Sequence, residues 1–335
     1  MALAEAQRLV DRALGSWIDR GRAVGVVAGL IRGDELAVKA FGSSGTARPL
    51  GPDTLMEIGS ITKTFTGLLL AEMSLRGEVG LEDPVAGHVP FDLPADVTLL
   101  DLATHTSGLP RSGRILIRQS FRNRREPFVA FTEDDLRATA AAARIRRARG
   151  TKMRYSNIGF GLLGNILSRV AGRPYGDLLT DRISRPLGLV DTGAEVDEGR
   201  LERLARGHRR GGRPAPPFRI PALAGAGVLR STAVDMLTYL RAHLSPERTP
   251  LAEALRLALG PHRTFKGGKV AVGLAWLHVR RGDPTFVWHN GGTVGFGSFA
   301  ALDPARDAGV VLLSNSRYLL RSGRLGVGLL RALGS

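Results

Sequence analysis

The chain contains no cysteine, which removes disulfide scaffolds, thiolate nucleophiles and cysteine-rich zinc sites. Lysine is almost as scarce. It occurs at positions 39, 63, 152, 266 and 269 only, so arginine supplies 42 of the 47 basic residues. Aromatic residues make up 6%, with four tyrosines in all. No apolar run approaches the ~18 residues of a membrane-spanning helix. The first residues lack the basic start, unbroken apolar stretch and small-residue cleavage site of a signal peptide. They read as an amphipathic helix, and a cytoplasmic location is the expectation. The histidines show no H-x-x-x-H spacing, there is no GxxxxGK[ST] segment, and the scattered glycine pairs form no dinucleotide fingerprint. No metal or other cofactor is expected.

What is present is enough apolar sequence, 43% of 335 residues, to build a sizeable core. Charged residues at 23% and a mean hydropathy of -0.01 fit an ordinary globular protein. The net charge of +16 gathers partly in Arg111–Arg125 and Arg144–Arg149. A basic surface of this kind suits nucleic acid or an anionic membrane. However, no aromatic side chains are interleaved as stacking platforms, so the arginines read better as solvated faces and nucleic acid is not an expected partner. Arg111, Arg114 and Arg118 offer a further reading, as the rim of a site that takes an acidic substrate.

Residues 24–42 hold two apolar runs split by Arg-Gly-Asp-Glu, the pattern of a β-hairpin. After Gly59, Phe65, Leu68, Leu69, Ala71 and Met73 recur at helical spacing, and Arg76-Gly77 supplies the stop. Further helices are predicted over 133–147, 158–171, 175–183, 232–244 and 250–258. From about 268 strands return, in KVAVGLAWLHVR, TFVWHN, GFGSFAALDP and AGVVLLSN, before a last helix at 319–333. Strands at both ends with helices between them predict an α+β fold. It would have one antiparallel sheet built from both chain ends (1–58 and 265–335), flanked by helices, with a mainly helical lobe (59–264) inserted.

The chemistry-bearing residues fall in four places. Ser60 and Lys63 stand three apart at a helix start, hence on one face, and Ser60 meets the positive end of the helix dipole. A serine hydroxyl needs a neighbour to take its proton, and a lysine whose pKa is lowered by burial or a second cation can do so. By chance alone, five lysines give about one S-x-x-K in three such chains; the competing reading makes Ser60 an N-cap and Lys63 an exposed first-turn residue. Tyr155-Ser156-Asn157 precedes a glycine-rich helix. A tyrosine beside a buried lysine is a proton carrier, held partly as phenolate, and Asn157 offers an amide to a substrate carbonyl and to Lys63. The competing reading packs Tyr155 and makes Asn157 a cap. His289-Asn290-Gly291-Gly292 ends an apolar strand, where glycines let a substrate backbone lie alongside and where the amide of Gly292 with that of Ser60 can form an oxyanion hole. Alternatively the two glycines simply make a turn. His105, in THTSGLP, reads as structural, and no carboxylate is spaced to complete a Ser-His-Asp triad.

The order S-x-x-K, Y-x-N, H-x-G resembles the serine β-lactamase/penicillin-binding-protein superfamily, and within it the class C β-lactamase-like branch of esterases, D-aminopeptidases and DD-peptidases. EIGSITKTFTGLLLA, GEVGLEDPV, LLDLATHTSGLP, MRYSNIGFGLLGNIL, GAGVLRSTAVDMLTYL and HNGGTVGFGS carry the likeness over positions 55–300. The resemblance implies the two-lobed β-lactamase/transpeptidase-like fold, with Ser60 as the acylated nucleophile. Lys63 and Tyr155 would be the shared base and acid, Asn157 the contact to the substrate amide, and Gly292, after Gly291, the oxyanion-hole position. His289 stands where many relatives carry the lysine of K-T-G, with Asn290 in the threonine place. That departure favours small esters, amides or peptides over penicillins. The expectation is therefore a serine hydrolase working through a Ser60 acyl-enzyme. The alternatives are an acyltransferase using the same intermediate, a true β-lactamase or DD-peptidase, and a non-catalytic binding protein with a basic surface. Oligomeric state is not legible in the sequence.

Overall fold

The structure, a computed structural model, describes residues 2–93, 96–122, 126, 128–145, 150–280, 285–317 and 323–334. Its strands are β1 (Gly25–Arg32), β2 (Glu35–Gly42), β3 (Met56–Glu57), β4 (Arg230–Ser231), β5 (Arg263–Phe265), β6 (Val270–Val272), β7 (Leu277–Val279), β8 (Phe286–Gly292), β9 (Gly297–Asp303) and β10 (Ala308–Ser314). Its helices are α1 (Ala2–Asp19), α2 (Thr62–Leu75), α3 (Leu99–Ala103), α4 (Arg114–Arg122), α5 (Glu133–Ala141), α6 (Asn157–Ala171), α7 (Tyr175–Leu179), α8 (Ala224–Gly227), α9 (Ala233–Leu244), α10 (Ala252–Leu259) and α11 (Gly323–Gly334).

Eight strands form one antiparallel sheet in the order β2-β1-β10-β9-β8-β7-β6-β5, so the fold is the predicted α+β arrangement with a sheet drawn from both chain ends. β1 and β10 pair in the register Val26↔Ser314 to Arg32↔Ala308. Because strand side chains alternate between faces, Val26, Ala28 and Leu30 pack with Ala6, Val10, Leu329 and Leu330 of the terminal helices. Val27 and Ile31 join the larger core on the opposite face, which includes Phe65 and Leu69 of α2 and Leu240 of α9. With both faces covered, β10 is buried along its whole length and reads as a continuous apolar run rather than an alternating one.

The helix boundaries have local causes. Thr98 and Asp101 form a capping box on α3, and Thr132 and Asp135 form one on α5. Ser156 caps α6 by accepting the Gly159 N–H, and left-handed Gly172 closes it. Three expectations need adjustment. The helix predicted over 133–147 ends at Ala141 with Ala142 as its cap, while residues 146–149 lie outside the described residues. The stretch 269–280 is two strands, β6 and β7, divided by a turn in which the Gly273 N–H donates to Trp276 O at 2.8 Å and Ala275 has φ 73°. The last helix is described from Gly323, so 319–322 of its predicted span lie outside the described residues.

Some of the abundant arginine is engaged with carboxylates. Arg203 pairs with Asp191 and Asp53, Arg182 with Glu72 and Glu78, and Arg48 with Asp53 and Glu202. Parts of the two arginine-rich stretches, 123–125 and 146–149, lie outside the described residues. No helix among the described residues is long and apolar enough to cross a membrane.

Candidate active site

Ser60 is the middle residue of a single 3-10 turn, Gly59–Ile61, that leads into α2. It does not act as a cap: the residues flanking the turn and the helix make no side-chain capping bond. The turn is clamped from two sides. Ser298 of β9 donates its hydroxyl to Ile58 O at 2.7 Å, and the Ile58 N–H donates to Leu229 O at 3.1 Å. Gly59 takes φ 52°, where L side chains are strained.

Lys63 follows within the first turn of α2 and is wholly buried, against the exposed alternative. Its Nζ lies 3.2 Å from Ser60 Oγ and donates to Ala226 O of α8 at 2.5 Å. Burial, and then the nearby guanidinium of Arg111, hold its pKa well below the ordinary lysine value. A lowered pKa favours the neutral amine, the form able to take a proton from the hydroxyl beside it.

Tyr155 completes the cluster. Lys63 Nζ sits 5.0 Å from its ring centroid, and a hydrogen bond links its hydroxyl to Ser60. The group is displaced opposite to the expected phenolate. Burial dominates and pushes it up to about 12, although the bond to Ser60 and Arg111 pull downwards. The physical reason is desolvation, which disfavours the charged form of both groups, phenolate and ammonium alike. Arg111 lies 5.2 Å above the ring, but Arg111, Arg114 and Arg118 are not among the residues that line the cleft.

The other candidates separate into two groups. Asn157 opens α6 and lines the cleft with Ser60, but the cap is Ser156. Among the described residues no hydrogen bond joins Asn157 to Lys63. Gly292 also lines the cleft, whereas Gly291 lies beneath it; a Cβ on Gly291 would overlap Ile58 O and Ser298 Oγ. His289 is 1% exposed and stands behind Tyr155, with ring centroids 6.3 Å apart. Its Nδ1–H donates to Asn290 O at 2.7 Å, so Nε2 carries the lone pair. Burial and Lys63 bring its pKa down to about 3. It is a neutral, interior ring and not a cation presented to the cleft.

The cleft in front of Ser60 has a volume of about 210 Å³. One wall is apolar, with Leu116, Phe128, Phe218, Ile220 and Leu223, and Arg317 supplies a positive charge at another side. Phe128 and Phe218 meet edge to face at 5.3 Å. Glu57 is buried nearby, accepts the Phe218 N–H at 2.8 Å, and is kept above the usual carboxylate pKa by burial. The backbone acceptor Ala226, the apolar wall and Arg317 went unassigned from sequence. Ala226 does fall within GAGVLRS, but which of its carbonyls turns inward is set by tertiary packing. Among the described residues no cluster of three or more His, Asp or Glu side chains could hold a metal.

The family described as Beta-lactamase matches residues 6–333. Similar curated proteins include the D-alanyl-D-alanine-carboxypeptidase/endopeptidase AmpH of Escherichia coli (strain K12), 27% identical over 97% of this chain and 88% of that protein. A Beta-lactamase of Pseudomonas fluorescens is 24% identical over 94% of each. Unguisins hydrolase ungD' of Aspergillus campestris is 27% identical over 90% of this chain and 60% of that protein.

Proposed function

The chain belongs to the beta-lactamase family, as a serine hydrolase of that type, and on that premise we propose that it forms an acyl-enzyme on Ser60 from small esters or amides bearing an apolar group. One observation carries the reading: a buried lysine amine, its pKa lowered by its surroundings, lies 3.2 Å from a serine hydroxyl that lines a cleft. In the proposed sequence Lys63 Nζ takes the Ser60 proton as Oγ bonds to the carbonyl carbon. The oxyanion is received by the backbone N–H groups of Ser60 and Gly292. Collapse of the tetrahedral intermediate breaks the bond to the leaving group, which is protonated through Tyr155, itself reprotonated from Lys63. Water then attacks the ester carbon by the same route, and the acid departs.

Asn157, at the cleft wall, suits the contact to the acyl or amide group. The apolar wall of Leu116, Phe128, Phe218, Ile220 and Leu223 suits a branched or aromatic substituent. His289 and Gly291 serve from behind, the first by packing against Tyr155, the second by admitting Ile58. An alcohol or amine in place of water would give acyl transfer with no change in these residues.

A second reading has its own support. Arg317 lines the cleft, and among the described residues it makes no ion pair. A cation there suits a substrate carboxylate, as a lactam or a D-alanyl peptide would bring, and relatives carry such activities in their names.

The test is intact-mass spectrometry of wild type and Ser60→Ala after exposure to a fluorophosphonate, p-nitrophenyl acetate and a penicillin. One adduct per chain on wild type and none on Ser60→Ala is expected, with ester turned over faster than penicillin. An unaltered rate in Ser60→Ala would sink the proposal, and rapid penicillin turnover would promote the second reading.

A further inference from the structure

Two residues beyond α3 the chain places His105 at φ 61°, a conformation that costs a non-glycine residue about 1 kcal/mol. The side chain is wholly buried. Strain of this kind persists only where the surroundings impose it, and here the surroundings are the segment that carries Tyr155.

Two hydrogen bonds join His105 to that segment. The Arg154 N–H donates to the His105 carbonyl at 2.7 Å, and the Ser156 N–H donates to His105 Nδ1 at 3.2 Å. The pair brackets Tyr155, one bond on the residue before it and one on the residue after. The imidazole also lies against the phenol, with centroids 4.4 Å apart and planes inclined by 36°, and Phe160 meets the imidazole at 4.9 Å. The second bond requires a bare Nδ1, hence a neutral ring protonated on Nε2.

We propose that His105 is a positioning residue for Tyr155: its carbonyl and Nδ1 fix the backbone on both sides of the tyrosine while its ring sets the tilt of the phenol over Ser60. The inference rests on the acyl-enzyme reading above and goes beyond it. It also accounts for the strained backbone, because only a left-handed residue here turns carbonyl and side chain towards the same short segment. Removing the ring leaves a buried Ser156 N–H without its acceptor and a gap behind Tyr155, so the phenol swings while the cleft in front stays as it was.

Three variants test this. In His105→Asn, Oδ1 falls close to the position of Nδ1, and asparagine tolerates φ near +60°. In His105→Gln the acceptor is carried one bond too far. In His105→Gly the backbone strain is relieved and the ring is absent. Single-turnover acylation by p-nitrophenyl acetate is expected to slow about 10²-fold in the Gln and Gly variants, as for other small misplacements of a reacting group. KM should stay within about threefold and Asn should recover to within about fivefold of wild type. Acylation at the wild-type rate in His105→Gly overturns the proposal, and so does an Asn variant no faster than Gln. Should the Gly variant fail to fold, the comparison of Asn with Gln still decides. Ser60→Ala run alongside separates the two levels: activity surviving there removes the acyl-enzyme reading itself, whereas a dead Ser60→Ala beside unaffected His105 variants overturns only the positioning role.

Discussion

Gly59 and Gly292 meet backbone to backbone: a Cβ built on Gly59 would stand 2.6 Å from the nitrogen of Gly292. The turn that carries Ser60 and the end of β8 are thereby held as one unit, although more than two hundred residues separate them in the chain. The two N–H groups assigned to the oxyanion owe their spacing to this contact.

Gly291→Ala is therefore expected to wedge β8 away from Ile58. A destabilisation of about 3 kcal/mol is expected for forced overpacking against backbone, together with an acylation rate reduced at least as far as by loss of one oxyanion donor, about 10²-fold. Urea denaturation and burst kinetics would check both. A variant with unaltered stability would show that the strand and the turn can part freely.

Acid-base behaviour follows from Lys63. It acts as a base only when neutral, so kcat/KM rises with pH through its depressed pKa. Arg111, the second cause of that depression after burial, is an exposed side chain. In Arg111→Gln the amine regains some affinity for its proton, and the ascending limb moves to higher pH by less than about one unit. A limb that stays in place, or moves to lower pH, would show that Arg111 does not act on this amine.

Stability should fall in acid for a separate reason. Burial draws His289 down to about 3 and both His243 and His278 to about 4, and it also lowers His105. The unfolded chain then binds more protons than the folded one below about pH 6.5, so their contribution is complete above that pH and is lost progressively as pH drops towards 4 and 3. Glu57 and Asp235 oppose them, because burial raises their pKa values and so gives stability below 4.5 and 3.8 that is lost as pH rises through the folded values. These are two groups against four. Thermal unfolding should show Tm decreasing from pH 6.5 to 4, and less steeply in His289→Asn; a flat Tm over that interval would refute the account.

The apolar wall predicts acyl selectivity. Phe218→Ala removes half of the edge-to-face pair with Phe128. The kcat/KM ratio of p-nitrophenyl hexanoate to acetate is expected to drop by about tenfold, the range associated with a few lost methylene contacts. An unchanged ratio would place the acyl chain elsewhere.

Much of this molecule was legible from residues alone, and the boundary of what was not has physical causes. The hairpin of β1 and β2 and the helix α6 announce themselves by period and by punctuation, because the signal lies within the segment. Ser60 and Lys63 were singled out by spacing, and the structure brings them together. The burial of Lys63 was not, since a lysine in a first turn is compatible with water or with Ala226 O, and only the packing of α8 decides. For Tyr155 the sequence suggested a partial phenolate, whereas burial raises its pKa; how far it and its neighbour are desolvated is not written in the local sequence. His105 was read as a structural residue, because the segment THTSGLP contains nothing to say that residues 154 and 156 will donate to it from either side. The division of β6 from β7 was missed because the apolar run continues unbroken through a turn that is stabilised by main-chain bonds.

The pairing of β1 with β10 has a consequence for how the protein comes into being. The sheet joins its early and late strands by pairing Val26 with Ser314, and the strand that abuts the nucleophile's turn, β8, follows that turn by more than two hundred residues. While those residues are being made, α2 exists without the surface that shapes its active turn. A nascent chain is thus expected to be chemically silent until β8, β9 and β10 have emerged from the ribosome, whatever helical structure has already gathered. Refolding from denaturant should be slow for the same reason, since contacts of such long sequence separation are reached late. Recovery of esterase activity should then coincide with the final folding phase, with no earlier species hydrolysing ester.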